Sequence, residues 1–225
     1  MISRANGVTT ERLIDAASQL FAERGFHRTT MRDIAERADV NLAAAHYHYG
    51  SKKELYLEVL RAQFAQLRES LARRGAAAAE AELARLPRAE LVALLRARCE
   101  VLLETMIGPP PSLHANLMVR EMADPSEALP VIVEELIRPM RHVMEIVIRR
   151  LEPSLTPAAV ERCLLGIVGQ IVFYRFMRPA VLRMMERDDY PPRLAHDLAG
   201  HITQFALGGM ERLAASRQRR SGRAR

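Results

Sequence analysis

The chain has 225 residues, of which 49% are hydrophobic and 27% are charged. This balance is typical of soluble globular domains and excludes collagen-like and largely disordered chains. Its two cysteines are too few for a disulfide framework, so we expect a protein of the reducing cytoplasm. We recognise no secretory signal segment and no apolar run near the ~18 residues that a membrane span needs, and we therefore expect no membrane partner.

The formal net charge of +6 and the pI near 9.9 suggest a nucleic-acid partner, but the excess charge is unevenly distributed. Residues 1–60 carry eight basic and eight acidic side chains and are formally neutral. Residues 211–225 carry six arginines and one glutamate, which gives +5. Such a run is usually a solvated tail and sometimes a nucleic-acid arm, and we predict a basic disordered tail at residues 216–225.

Strand patterns are nearly absent, and helical periodicity recurs along the whole chain. Gly25 suits a left-handed position after the first helix, and Thr30, Asn41 and Ser51 suit the N-caps of the next three. The predicted helices span residues 10–24, 31–38, 42–49, 52–74, 88–107, 112–123, 126–151, 157–178 and 193–215, with a kink at Pro139. The fold class is therefore all-α, with an N-terminal unit at residues 1–55 and a larger helical body at residues 56–215.

Two short helices joined by a tight turn, with a third behind them, form a helix-turn-helix whose second helix lies in the DNA major groove. Here that helix is LAAAHYHY at residues 42–49, and its small first residues permit close approach to base edges. Thr30 and Lys52 lie near helix N-termini, which favour phosphate, and Arg32 can reach a guanine edge. The same pattern also suits short helices in a plain bundle with aromatic side chains in its core.

The N-terminal residues resemble the DNA-binding domain of the TetR family of bacterial transcriptional regulators. The motifs that carry this resemblance are AASQLFAERGF at residues 16–26, TTMRDIA at 29–35, Val40, and YHYGSKKEL at 47–55. The resemblance implies phosphate contacts for Thr30 and Lys52. It implies base contacts for Arg32, Leu42, Ala43 and Ala44, and contacts to backbone or bases for His46, Tyr47 and His48.

The chain departs from the family pattern at four positions of the helix-turn-helix. Asp39 replaces the usual turn glycine, so a left-handed backbone there would be strained. Asn41 replaces the usual serine or threonine and still caps. Ala45 replaces a larger aliphatic residue, and His46 replaces a tyrosine, which puts the operator sequence in doubt.

In this family the remaining helices form a dimerisation and ligand-binding domain. The segments LMVREMADP at 117–125 and GQIVFYRFMRP at 169–179 further resemble the CerR-like subgroup of the family. The last two helices are apolar around much of their circumference, which suits either a buried core or an intersubunit four-helix bundle. The resemblance favours a homodimer, with interface candidates Leu164, Ile167, Val168, Ile171, Leu198, Ile202 and Phe205.

Candidate pocket residues follow from chemistry alone, because pockets combine apolar walls with a few polar groups. They are Met106, His114, Met118, Glu121, Met122, Tyr174 and Met177. The alternative is that the methionines are ordinary core and that the charged groups form only ion pairs. Nucleotide-binding, hydrolase and zinc motifs are not found, so we expect no enzyme activity, no cofactor and no metal.

We predict a cytoplasmic transcriptional regulator that acts as a repressor. It would bind a palindromic, double-stranded DNA operator as a dimer and respond to a small-molecule effector, which we expect to be hydrophobic. The alternative is a helical protein-interaction module without sequence-specific DNA binding. A catalytic helical protein is the third and weakest alternative.

Overall fold

A computed structural model describes the backbone of residues 2–108 and 112–223, and the side chains of residues 7–108 and 112–216. Within these residues the protein is helical and has no strand, so the predicted all-α class is confirmed. The α-helices are α1 (Ile2–Arg24), α2 (Met31–Ala38), α3 (Leu42–Tyr49), α4 (Lys52–Arg73), α5 (Glu80–Leu83), α6 (Arg88–Ile107), α7 (Leu113–Ala123), α8 (Leu129–Val131), α9 (Arg138–Leu151), α10 (Pro157–Phe176), α11 (Arg178–Met184) and α12 (Leu194–Arg223). A π-helical segment, Ile132–Ile137, separates α8 from α9.

The N-caps of the first helices form as predicted. Thr30 and Asp33 make a reciprocal capping box, in which the Thr30 hydroxyl accepts from the Asp33 amide at 3.1 Å. The Asn41 side chain accepts from the Ala44 amide at 2.6 Å, and Ser51 accepts from the Glu54 amide at 3.1 Å. These caps satisfy amides that a helix leaves unpaired, and they explain why α2, α3 and α4 begin where they do.

The predicted single helix at residues 126–151 is divided in the structure. Pro139 has no amide hydrogen, so the carbonyl of Glu135, four residues earlier, loses its α-helical partner and faces the proline ring. The wider π turn of Ile132–Ile137 lies directly before this point. The predicted kink is therefore a change of helix type rather than a simple bend.

The helix limits also differ nearer the C-terminus. Helix α10 ends at Phe176, and Pro179 lies in the first turn of a separate helix, α11. Helix α12 continues to Arg223, so residues 216–223, predicted to be disordered, have helical backbone. Arginine and glutamine are good helix formers, which explains this extension. Residues 224 and 225 lie outside the described part of the chain.

The chain divides into two compact units. Unit 1 comprises residues 1–66 and 111–137, and unit 2 comprises residues 67–110 and 138–225. Unit 1 has an aromatic core in which Tyr56 lies 4.8 Å from Phe21 and 5.2 Å from Phe26, measured between ring centroids. In unit 2, α6 packs against α9, α10 and α12. Unit 1 therefore contains the predicted DNA-reading helices together with α7.

Candidate nucleic-acid interface

The turn between α2 and α3 adopts the strained conformation that its sequence predicts. Asp39 has φ 52° and ψ 51°, in the left-handed region that favours glycine. The Arg12 guanidinium, from α1, donates to the Asp39 carboxylate at 2.9 Å and to the Asp39 carbonyl at 3.2 Å. An arginine from α1 thus holds the residue at which the chain turns from α2 into α3.

Helix α3 presents a face that is not covered by any of the described residues of unit 1. Ala45 is fully buried and fixes the inner side of the helix. Leu42, Ala43 and His46 are exposed, and Tyr47 is 82% exposed. Of the other predicted contact residues on this helix, Ala44 and His48 are half-buried. A large aromatic side chain left in solvent on a short helix is expected at a surface that binds a partner.

His46 also caps its own helix. Its Nδ1 lies 3.0 Å from the carbonyl oxygen of Gly50, and because a carbonyl only accepts, Nδ1 carries the hydrogen and donates. The other ring nitrogen, Nε2, is then the one that can meet DNA. A tyrosine at this position would instead present a hydroxyl, so the departure from the family pattern changes the contacting atom.

Thr30 and Lys52, the two predicted phosphate contacts, also make hydrogen bonds within the protein. The Thr30 hydroxyl donates to the Asp33 carboxylate at 2.7 Å, and hydrogen bonds from Thr30 hold the pKa of that carboxyl below its ordinary value. The Lys52 ammonium donates to the Phe26 carbonyl at 2.9 Å and lies 4.1 Å from the centre of the Phe26 ring. Partial burial lowers the Lys52 pKa. An ammonium has three hydrogens, so the bond to Phe26 leaves donors for a phosphate.

Three basic side chains near the predicted DNA contacts were not predicted from the sequence. Arg28 is exposed in the loop before α2, and Lys53 follows Lys52 in the first turn of α4. Arg12 acts through the turn at Asp39. Adjacency to Thr30 and Lys52 could have indicated the first two, but the position of Arg12 depends on tertiary packing.

The predicted dimer-interface residues fall into two groups. Val168 and Phe205 are exposed, Phe205 by 65%. The other five are buried within the chain, namely Leu164, Ile167, Ile171, Leu198 and Ile202. Helices α10 and α12 are apolar on nearly every side, so periodicity could not tell which stripe packs inward, against α6 and each other.

The outer sides of α10 and α12 nevertheless form an apolar surface. Leu165 and Phe173 are exposed beside Gly166 and Gly169, and a cavity of about 390 Å³ between the two helices is lined by both glycines. By length and hydropathy, α10 is the one helix in the described part of the chain that could span a membrane, although no such run was expected. Only 28% of the apolar stretch of α10 is buried, so most of it is not covered by the described residues of the chain.

The predicted ligand-binding residues lie in both units. Unit 1 holds His114, Met118, Glu121 and Met122 on α7, and unit 2 holds Met106, Tyr174 and Met177. Met122 and Met177 are exposed, whereas Tyr174 is half-buried and lines the cavity between α10 and α12. The remaining four are buried.

His114, on α7, is a buried histidine with an unsatisfied ring nitrogen among the described residues. It is 5% exposed, its ring lies edge-on to Phe64 at 4.7 Å, and its Nδ1 finds no hydrogen-bond partner among the described residues. Burial lowers the His114 pKa to about 4, so the ring is neutral at physiological pH. A buried polar atom without a partner is costly, and a bound molecule could satisfy it.

Glu121 is different, because its carboxylate is already occupied. It is 1% exposed and accepts hydrogen bonds from the Tyr56 hydroxyl at 2.8 Å and from the Ser126 amide and hydroxyl, both at 3.0 Å. Burial and the neighbouring carboxylate raise the Tyr56 pKa, so the phenol stays protonated and keeps donating.

A capped helix-turn-helix with an exposed second helix, followed by a larger helical body, defines the class of helix-turn-helix regulators. The family model described as "Bacterial regulatory proteins, tetR family" matches residues 13–59. The model described as "HTH-type transcriptional dual regulator CecR, C-terminal domain" matches residues 91–210, more than half of the chain. The protein therefore belongs to the TetR family, in the group with a CecR-type C-terminal domain. Residues 117–125 and 169–179, which resemble the CerR-like subgroup, both lie within the segment that the CecR model matches.

Similarity to individual relatives is concentrated at the N-terminus. The chain is 44% identical over 59 residues to the transcriptional repressor KstR2 of Rhodococcus jostii, which is 26% of this chain and 28% of KstR2. It is 34% identical over 89 residues to the regulator BetI of Rhizobium meliloti, which is 40% of this chain and 41% of BetI. The matched segments thus span well under half of these relatives.

Solved structures extend the likeness to the whole fold. The fatty acid degradation regulator FadR of Bacillus halodurans superposes with a TM-score of 0.63 at 14% identity, covering 88% of this chain and 98% of FadR. AibR, solved with isovaleryl coenzyme A and operator DNA, gives a TM-score of 0.61 at 14% identity, covering 89% and 96%. At these identities the likeness shows the fold alone.

Proposed function

We propose that the protein is a DNA-binding transcriptional repressor that binds a palindromic operator as a homodimer and is released by a small-molecule effector. The observation that carries this proposal is the exposed face of α3, with Tyr47 in solvent on a helix whose inner side is fixed by Ala45. Helix α3 is the second helix of the helix-turn-helix and would enter the major groove. The similarity to KstR2, which is named a repressor, supports repression rather than activation.

In this proposal the contacts divide by chemistry. Leu42, Ala43 and Ala44 approach thymine methyls and base edges, and Arg32 donates to a guanine. His46, Tyr47 and His48 contact the backbone or bases, and Thr30 and Lys52 hold phosphates together with the helix N-termini. Residues 1–60 are formally neutral, so affinity depends on the placement of these groups rather than on net charge.

The homodimer is supported by the uncovered apolar surface of α10 and α12. Exposed Phe173 and Phe205 beside glycines would pack closely against the same surface of a second copy. Asp197 lies eight residues before Phe205 and Arg212 seven after it, both exposed. In an antiparallel pair of α12 helices centred on Phe205, Asp197 of each copy faces Arg212 of the other.

The effector is proposed to bind in the helical body, which extends over residues 56–215. Buried Met118 supplies an adaptable apolar wall on α7, and His114 supplies a neutral hydrogen-bonding atom on the same helix face. This chemistry favours a hydrophobic molecule with one polar group. Residues 1–55 would read DNA, and residues 216–225 would be an accessory basic tail of a cytoplasmic protein.

Binding to the DNA upstream of the protein's own gene tests the proposal. Wild type should bind that duplex tightly and in a salt-sensitive way, and Arg32→Ala and Tyr47→Ala should lose operator affinity yet stay folded and dimeric. Met184→Ala, which removes an exposed side chain of unit 2, is the matched control. If the variants and the control behave alike, the helix-turn-helix serves protein contacts, as the alternative holds.

A further inference from the structure

The motif at residues 117–125 covers the end of α7 and the turn that follows it. Three of its members contact α1, α4 or the α1–α2 connection, which comprises residues 25–29. Arg120 donates to two carbonyls at the end of α1, the Ala22 carbonyl at 3.4 Å and the Glu23 carbonyl at 2.5 Å. The last carbonyls of a helix have no partner within the helix, and a cation is favourable there. Arg120 therefore satisfies carbonyls in the last turn of α1.

Glu121 makes the second contact through Tyr56. The buried carboxylate accepts from the Tyr56 hydroxyl, and the Tyr56 ring lies 5.2 Å from the ring of Phe26 in the α1–α2 connection. The backbone carbonyl of Phe26 in turn accepts from Lys52. Because Ser126 supplies two further donors to Glu121, the carboxylate is held on both sides.

The third contact reaches the next residue of the connection. The carbonyl of Pro125 lies 3.2 Å from Nε2 of His27, which must carry the hydrogen and donate. The carboxylate of Asp124 lies 3.9 Å from the same nitrogen. The α1–α2 connection leads directly into Thr30 and Arg32, two of the residues predicted to contact DNA.

We infer that Arg120, Glu121 and Pro125 form a positioning device that holds the α1–α2 connection in the conformation required for operator binding. These residues act through α1, Tyr56 and His27. His114, Met118 and Glu121 lie on one face of α7, at the spacing i, i+4 and i+7, so a molecule bound at His114 would be sensed at this device. The effect on operator binding rests on the proposed function, whereas the effect on the α1–α2 connection is testable in the free protein.

Hydrogen exchange of the free protein is the first measurement. The amides of Gly25 and Thr29 donate within the connection, to Phe21 and Phe26, and report its stability. Arg120→Ala should speed their exchange about ten-fold, and Arg120→Lys, which keeps one donor to these carbonyls, should restore part of the protection. Arg150→Ala is the matched control, because Arg150 donates to the Leu83 and Leu86 carbonyls of unit 2 in the same manner.

Operator affinity is the second measurement, on the same upstream duplex. Arg120→Ala and Glu121→Gln should bind it about ten-fold more weakly than wild type, and Arg150→Ala should bind it as wild type does. Equal exchange in Arg120→Ala and wild type would overturn the inference, as would equal operator affinity of Arg120→Ala and Arg150→Ala. If wild type itself fails to bind DNA, the proposed function fails, whereas the exchange result still decides whether Arg120 holds the connection.

Discussion

Arg12 and Asp39, 27 residues apart, meet at the turn of the helix-turn-helix, where the guanidinium donates to both the carboxylate and the carbonyl of Asp39. Asp39 is the residue of this turn with a left-handed backbone, a conformation that glycine adopts without strain. The ion pair is exposed and contributes little by itself. The bond from Arg12 to the Asp39 carbonyl, however, restricts the backbone at this position, which would be more flexible with a glycine.

Substitution of Asp39 separates strain from bonding. Asp39→Ala places in the left-handed region a residue that tolerates it less well than aspartate, so we expect the free energy of unfolding to fall by about 1 kcal/mol. Asp39→Gly relieves the strain but makes the unfolded chain more flexible. We therefore expect its free energy of unfolding to stay within about 0.5 kcal/mol of the wild-type value. Urea unfolding followed by circular dichroism measures both. Equal losses in the two variants would show that backbone strain at this turn is unimportant.

His114 predicts a particular acid sensitivity. Its pKa is about 4 in the folded protein against an ordinary 6.5, so below pH 6.5 the unfolded state takes up a proton that the folded state does not. The free energy of unfolding should therefore fall as the pH drops, by about 3 kcal/mol between pH 7 and pH 4 from this group.

His114→Phe should remove that contribution and flatten the stability profile in this range, as measured by urea unfolding at several pH values. His142→Gln, at an exposed histidine of unit 2, is the control and should leave the profile unchanged. A wild-type profile that His114→Phe does not alter would mean that the imidazole is not buried neutral.

Phe205 and Ile202 should give opposite results, although they lie one turn apart on α12. Phe205→Glu places a charge on the exposed face and should raise the dimer dissociation constant at least about 30-fold with little change in the fold. Ile202→Ala creates a core cavity and should destabilise the fold by about 2–5 kcal/mol. Sedimentation velocity and urea unfolding separate the two effects. Met184→Glu, at another exposed apolar residue, should leave the dimer intact.

Deletion of residues 216–225 tests the basic tail. The deletion removes five arginines, so non-specific DNA binding should weaken, and the slope of log affinity against log salt should fall by roughly 0.9 for each phosphate that the tail no longer neutralises. Preference for the operator over random DNA should stay unchanged in competition assays. Disappearance of that preference would show that the tail reads sequence.

The features that local chemistry decides were predictable. Thr30 and Asn41 cap their helices through residues three positions away, so both the start of α2 and the start of α3 follow from the sequence. The contacts of Arg120 with Ala22 and of His27 with Pro125 join residues 98 apart, and no short-range pattern indicates them. For the same reason the sequence gives no sign of the hydrogen bond between Tyr56 and Glu121, which lie 65 residues apart. Ile202 and Phe205 were equally apolar in sequence, and only the packing of α12 on α6 distinguishes them.

Footprinting of the purified protein on the DNA upstream of its own gene tests the central claim most directly. We expect protection of two symmetric half-sites whose centres lie about one helical turn, or a multiple of it, apart, and loss of that protection as salt is raised. Arg32→Ala should abolish the footprint at protein concentrations that saturate wild type. Protection that is absent, or that random competitor DNA removes as readily as specific DNA, would contradict the assignment of α3 as a DNA-reading helix.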